Sequence, residues 1–303
     1  MNKVVAFEWR RLYRSHLAAG LLGLAVLLSL LFFWFTKVGV DQYRQELLRT
    51  VTHTEETVGG EIGLLREQIK TSDQPAEKKQ LKAEFNQAGR IDDGLMAQIE
   101  AIQRRQSASF LRGGIHARQE DIRYARQFQN GLLADPKQNR AIITEYQARL
   151  THDQAFENLH TSLQPPIFLV NWQHLLANPV TLILAVLLFS TIWVMAQFTA
   201  NGAWIQLNVF PSRRWLIANG LVMVTSWFGW MVFTNAIALL VSALWGQPLL
   251  SGQINWLAQY PGTNQSYLTM WLRYCGQSWL SFGLGYFVWL ALTQLIQQRR
   301  RRQ

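Results

Sequence analysis

Few side chains in this sequence belong to the types that make and break bonds, and their spacing argues against a catalytic centre. The histidines at 16, 53, 116, 152, 160 and 174 include no i, i+4 pair with a glutamate between, the pattern that sets two imidazoles and a general base on one helix face. His152 and His160, eight residues apart with Asp153 and Glu157 nearby, could share a helix face, but no metal site is expected there. The single cysteine, Cys275, excludes an internal disulfide and any multi-cysteine metal site, and reads as an apolar filler. No Gly-x-x-x-x-Gly-Lys-Ser/Thr occurs, so the chain has no phosphate-cradling loop of its own. With no paired nucleophile and base, no catalytic, cofactor-binding or metal-ligating residue is assigned, and the chain is not expected to be an enzyme.

What stands out is a small set of amides in apolar surroundings. Asn219, Asn235 and Gln294 lie within long uncharged stretches, where an amide joins neighbouring helices by hydrogen bonds more readily than it meets a substrate. Those stretches contain no acidic or basic side chain, which argues against a proton- or ion-coupled carrier. Gly20 and Gly23, and farther on Gly283 and Gly285, are expected to permit close helix contact.

The elements that hold these residues follow from hydropathy. Residues 17–36, 180–198, 216–245 and 278–296 are uncharged. A hydrocarbon core of roughly 30 Å is crossed by about 20 helical residues, so each stretch is long enough to span it. Continuous apolar runs exclude barrel strands, which alternate. The expected fold is an all-α membrane protein with four transmembrane helices and a helical extracytoplasmic domain between the first two. The first stretch exceeds the length of a signal-peptide core and lacks a small-residue cleavage site, so it reads as a retained anchor. The third would be about 45 Å long as a helix, and must tilt, kink or project.

Charge sets the orientation. Segments 1–16, 199–215 and 297–303 carry ten basic residues against one acid, Glu8. Residues 37–179 carry eighteen of each sign, and Arg273 is the one other charge. Short flanks rich in Lys and Arg stay in the cytoplasm, which puts both termini there and makes this a multi-pass protein of the plasma membrane. The net charge of +10 then reports topology, and no nucleic-acid partner is expected. Trp34, Trp172, Trp245 and Trp279 fall at the expected outer ends and Trp9, Trp204 and Trp215 at inner ones, as indoles anchoring at a lipid boundary would.

Segment 1–16 suits a short amphipathic helix on the inner surface, or a basic flank without structure. The 37–179 domain has helical periodicity, with breaks expected at Gly59-Gly60, Ser72 to Pro75, Gly113-Gly114 and Asp135-Pro136, and several helices folded back as hairpins. Residues 166–179 read as an amphipathic piece at the outer surface, and 246–277 as an extracytoplasmic loop.

Between the second and third stretches the chain reads NGAWIQLNVFPSRRWLIANG, at 201–220. Physically this is a short inner turn: an amphipathic segment, a Phe-Pro break, Ser212 able to cap the next helix, then paired bases. It resembles the corresponding loop of type-two ABC transporter permeases, the exporter class, on Gly202, Trp204, Leu207, Pro211, Ser212, Arg213 and Arg214. Glu8-Trp9-Arg10-Arg11 ahead of the first stretch, and a large domain after it, are similar to a subgroup of that family. Two features depart from the pattern. Gln197, Thr199, Ala200 and Asn201 stand where the family commonly has an acid, and four stretches stand where it usually has six, as in a shortened or split permease.

The resemblance implies a permease subunit of an ATP-driven exporter, working with an ABC ATP-binding subunit through the 201–215 loop, with a second permease subunit as a homo- or heterodimer, and with the lipid bilayer. ATP and Mg would belong to the partner, with no cofactor in this chain. Two alternatives stay open: a mechanotransmission-type ABC membrane subunit, which has four spans, and a non-transporting sensor or scaffold with a helical outer domain.

Overall fold

A computed structural model describes residues 2–14, 17–152, 154–197, 213–250, 254–260 and 263–302. Among them every regular element is a helix, with isolated bridges of extended backbone, as between Gln259 and Ser266. The helices are α1 (Asn2–Arg14), α2 (Leu17–Thr71), α3 (Pro75–Gln103), α4 (Ser107–Phe128), α5 (Pro136–Thr151), α6 (Pro165–Leu176), α7 (Pro179–Gln197), α8 (Arg213–Trp245) and α9 (Tyr267–Arg302). The chain forms two compact units. An apolar unit comprises Met1–Phe35, Pro165–Gly246 and Trp256–Gln303, and a charged unit comprises Thr36–Gln164 with Gln247–Asn255.

Within α2 and α8, Ala18–Thr71 and Leu216–Trp245 are long and apolar enough to cross a membrane. The pair α6 and α7, bent by 63° at a short break, adds a third if it is one interrupted span. The expected stretches 17–36 and 216–245 fall in these two helices, 180–198 coincides closely with α7, and 278–296 lies inside α9. An all-helical architecture with membrane-length apolar helices follows.

The apolar unit is held by rings. Trp227 stacks on Phe282 with centroids 4.8 Å apart and on Trp230 at 5.0 Å, while Phe189 meets Phe282 edge-on at 5.2 Å. Such pairs add about 0.5–1.5 kcal/mol each beyond burial. Phe32 of α2 packs on Phe168 and Trp172 of α6, both at 5.1 Å, and Trp230 Nε1 donates to the Leu21 carbonyl at 2.9 Å. The outward faces remain apolar: on α9, Leu280, Leu284, Val288, Leu292 and Leu295 are exposed at three- and four-residue steps.

Small residues contribute less evenly than expected. A Cβ on Gly285 would approach Val186 to 3.3 Å and one on Gly283 would touch Val224 at 3.7 Å, whereas Gly20 and Gly23 face open space. The first two do allow close packing; the other two meet no neighbour among the described residues. Gly220 is tight, since a Cβ there would meet Phe287 at 2.5 Å.

The 166–179 segment is also not the amphipathic surface piece expected. In α6, Pro166 to Val170, Trp172, Gln173 and Leu176 are all buried. The reason lies at the bend, where Asn178 Oδ1 accepts the Val180 N–H at 3.0 Å and Pro179 opens α7, so α6 ends by turning rather than running straight into the next helix. Its one buried amide, Gln173, is matched by a partner on α8.

In the charged unit two of the expected breaks are absent. Gly59-Gly60 sit inside α2, which is uninterrupted over 55 residues. A helical glycine costs up to about 1 kcal/mol relative to alanine, too little to break a helix whose Val51, Val58 and Leu65 bury one seam at seven-residue steps. Gly113-Gly114 sit inside α4 as a packing point: a Cβ on Gly114 would lie 2.5 Å from Gln98 Nε2, and one on Gly94 of α3 would lie 2.7 Å from the Ala117 nitrogen. The breaks at 72–74 and at Asp135-Pro136 do occur, each before a helix that opens with proline.

A further break, at 104–106, carries no glycine. Arg105 has φ 56°, the Gln106 N–H donates to the Ala101 carbonyl at 2.8 Å, and the Arg105 N–H donates to Ile102 at 3.3 Å. This is the Schellman stop, built on arginine where glycine is usual.

Candidate functional site

Two buried knots of polar side chains join helices of the apolar unit. The first joins α1, α8 and α9. Asn219 Nδ2 donates to Glu8 Oε2 at 3.4 Å, and the Tyr286 hydroxyl donates to Asn219 Oδ1 at 3.0 Å. Glu8 is 1% exposed, and Asn219 and Tyr286 are fully buried. Glu8 lies in α1, where the sequence suited either a short helix or a basic flank without structure and a helix forms. Its carboxyl is buried because α1 packs on α8 and Asn219 offers it a donor.

The second knot joins α6, α8 and α9. Asn235 Nδ2 donates to Gln173 Oε1 at 2.9 Å and to the Met231 carbonyl at 2.8 Å, while Trp271 Nε1 donates to Asn235 Oδ1 at 3.0 Å. The Gln173 amide also points at Met231 Sδ, 3.6 Å away. One asparagine therefore ties three helices together, the role expected of it. Gln294 behaves differently: it is half-exposed on α9 and makes no hydrogen bond among the described residues.

Beside the second knot, α6, α8 and α9 enclose a cavity of about 480 Å³, lined by Leu169, Met231, Asn235, Trp271 and Cys275 among others. A second cavity, of about 440 Å³, lies between α2, α6, α7 and α8, with Phe32, Trp172 and Trp227 in its wall. Both walls are almost wholly apolar.

Of the residues expected to meet an ATP-binding partner, Gly202, Trp204, Leu207, Pro211 and Ser212 lie outside the described residues. Arg213 and Arg214 are the first two residues of α8, one helical turn and more ahead of Asn219. The motif's last part and the Glu8-Trp9-Arg10-Arg11 segment thus come together through Asn219 and Glu8.

The charged unit holds its acids differently. Asp121, fully buried, accepts the Leu132 N–H at 2.6 Å, the Ala134 N–H at 3.3 Å and Asn139 Nδ2 at 2.7 Å, and so shapes the turn between α4 and α5. Asp135, the expected cap, makes no side-chain cap bond. Glu157 accepts the Leu249 N–H at 2.6 Å and the Gln164 amide at 3.4 Å, and Gln164 in turn accepts the Ile254 N–H at 2.8 Å. Burial lifts the Glu157 carboxyl to about 7, against the lowering pull of Ser162, the Leu249 N–H, Gln164 and Arg149. These bonds hold 247–255, taken from sequence as part of an outer loop, within the charged unit. Periodicity gives no sign of such a pairing, since its donors are backbone groups far along the chain.

No protein-family model, curated protein or solved structure matches this chain.

Proposed function

We propose that the chain is the membrane-spanning permease subunit of an ABC exporter, crossing the bilayer four times with both termini in the cytoplasm and the charged unit in water on the other side. ATP would be hydrolysed by a separate subunit bound at 201–215. The observation that carries this reading is the buried link from Glu8 through Asn219 to Tyr286. It joins the two segments on which the permease resemblance rests, 211 residues apart in sequence, to α9. A push on the inner loop would reach α8 at its first turns and be shared with α1 and α9 through this link. Such sharing is what coupling needs, because a partner shifts an equilibrium only through contacts that differ between states. The exposed apolar stripe of α9 supports counting 278–296 as the fourth span.

One observation favours the mechanotransmission class as a second reading: α2 is a single 55-residue helix whose sequence runs from the first apolar stretch into the charged one. Transport of a solute by the reconstituted complex separates the two, since only the exporter moves one.

The test is co-purification from the native membrane. An ATP-binding protein should accompany the wild-type chain and be lost with Arg213→Glu/Arg214→Glu. Equal recovery with both proteins, or none with either, would remove the permease reading.

A further inference from the structure

A buried carboxyl anchors the segment that follows α8 in the chain. Residues 247–250 carry no charge, and Leu249 and Leu250 are 2% and 0% exposed within the charged unit. The Leu249 N–H donates to Glu157 Oε1 at 2.6 Å, and the Gln164 amide donates to the same oxygen at 3.4 Å. Gln164 in turn accepts the Ile254 N–H at 2.8 Å, so a second tie to the backbone is positioned by the same carboxyl. The tie from the Arg105 guanidinium to Gln247 is exposed.

The two oxygens of Glu157 are used unequally. Oε1 takes the donors, while Oε2 is buried and accepts no hydrogen bond among the described residues. That division suits a neutral acid, whose carbonyl oxygen accepts while its hydroxyl carries the proton. Ionisation would leave a charged oxygen dry. The base beside it is engaged elsewhere, since Arg149 of α5 pairs with Glu145 at 2.9 Å and donates to the Ala155 carbonyl at 3.4 Å. Tyr43 of α2 adds no positive charge; burial pushes its hydroxyl up, with Glu145 and Glu157 adding to the push against Arg149. His160 is exposed, and 247–255 has no ionisable side chain. Desolvating a charge costs more here than these donors return, and burial accordingly lifts the carboxyl to about 7 against Ser162, the Leu249 N–H, Gln164 and Arg149.

We propose that Glu157 is a proton-operated latch: as the acid it keeps 247–250 docked on the charged unit, and on losing its proton it releases them so that the carboxylate reaches water. The docked state binds the proton more tightly than the released one. Docking is therefore fullest below 4.5 and weakens as pH rises through 7. Since 247–250 follows α8 directly, the latch sets whether the chain beyond that helix is held. The inference asks only that the charged unit face water, and it stands apart from any ATPase partner.

Hydrogen exchange of the full chain in detergent, corrected for the intrinsic rate at each pH, reads the latch. Protection at Leu249 and Leu250 should fall about fiftyfold between about pH 5 and about pH 8, most of it below 7, while Leu111 in the α4 core stays better protected throughout. Glu157→Gln, which keeps the acceptor and cannot ionise, should hold protection at 247–250 constant across that range. A flat wild-type profile would overturn the latch. So would an equal fall in Glu157→Gln, or protection at Leu249 and Leu250 that matches Leu111 at every pH, the sign that the segment opens only when the whole unit unfolds. Should Glu157→Gln fail to fold, the wild-type comparison of Leu249 and Leu250 with Leu111 decides alone.

Discussion

The apolar unit and the charged unit are built from the same element and solve opposite problems. Among the described residues, Val38, Leu64 and Met96 are the only large hydrophobic side chains of the charged unit that are exposed, while α2 before Thr36, α7, α8 and α9 each expose several. In the charged unit apolar seams and close glycine contacts make the core, and buried acids recruit backbone N–H groups. The apolar unit inverts this arrangement: its exterior is apolar, and side-chain amides joined to one another mark where helices meet. Buried hydrogen bonds thus join ring and glycine contacts in specifying how the apolar unit packs, because burying apolar surface drives helices together in water but not in hydrocarbon.

The largest test of that contrast is steric. Gly94→Val should destabilise the charged unit by about 3 kcal/mol, since the clash is with the backbone of Ala117 and cannot be relieved by a rotamer change. Thermal unfolding followed by circular dichroism should show the loss; an unchanged midpoint would mean that α3 and α4 are not packed this closely.

Next comes the pH dependence of Glu157. Its carboxyl keeps its proton up to about 7 when folded but ionises near 4.5 when exposed. Its contribution is therefore complete below 4.5 and lost as pH rises through 7. Each pH unit between those two values corresponds to about 1.4 kcal/mol, so the charged unit should lose about 3 kcal/mol across the interval, and Glu157→Gln should flatten that slope. A wild-type profile flat from about pH 5 to about pH 8 would refute it.

Asp121→Ala leaves three donors without their acceptor and should cost about 2 kcal/mol, seen as faster hydrogen exchange at Leu132 and Ala134. Protection at wild-type levels would show that the turn holds itself. The smallest effect belongs to the apolar unit. Asn235→Leu should cost only about 1 kcal/mol in detergent unfolding, because amides in that environment find substitute partners in the unfolded reference state too. A loss as large as that of Asp121→Ala would erase the distinction between the two units.

Much of the helical layout was legible in sequence for local reasons. Uncharged length marks α2, α7 and α8, and Pro75 and Pro136 mark helix starts because proline lacks the N–H that a first turn leaves unused. Other stops were not legible. The end of α3 is a left-handed residue, and Arg105 takes that conformation without advertising it, whereas the glycine pairs at 59–60 and 113–114 advertise breaks that do not occur. Glycine permits a turn without requiring one, and at 113–114 its missing Cβ makes room for a neighbouring helix instead.

For the candidate site the division is similar. Asn219 and Asn235 could be picked out by type, as amides stranded among apolar residues, but their partners could not. Glu8, Gln173, Trp271 and Tyr286 become partners only when helices distant in sequence are packed together. By itself the sequence determined that the chain is helical, where its apolar lengths fall and how its charge is distributed, since each follows from residues near one another along the chain. Tertiary structure alone decided that Glu8 is buried, that α6 is enclosed and that 247–255 joins the charged unit. Each of these depends on which groups remain for a desolvated donor or acceptor to meet, and that is a property of neighbours in space.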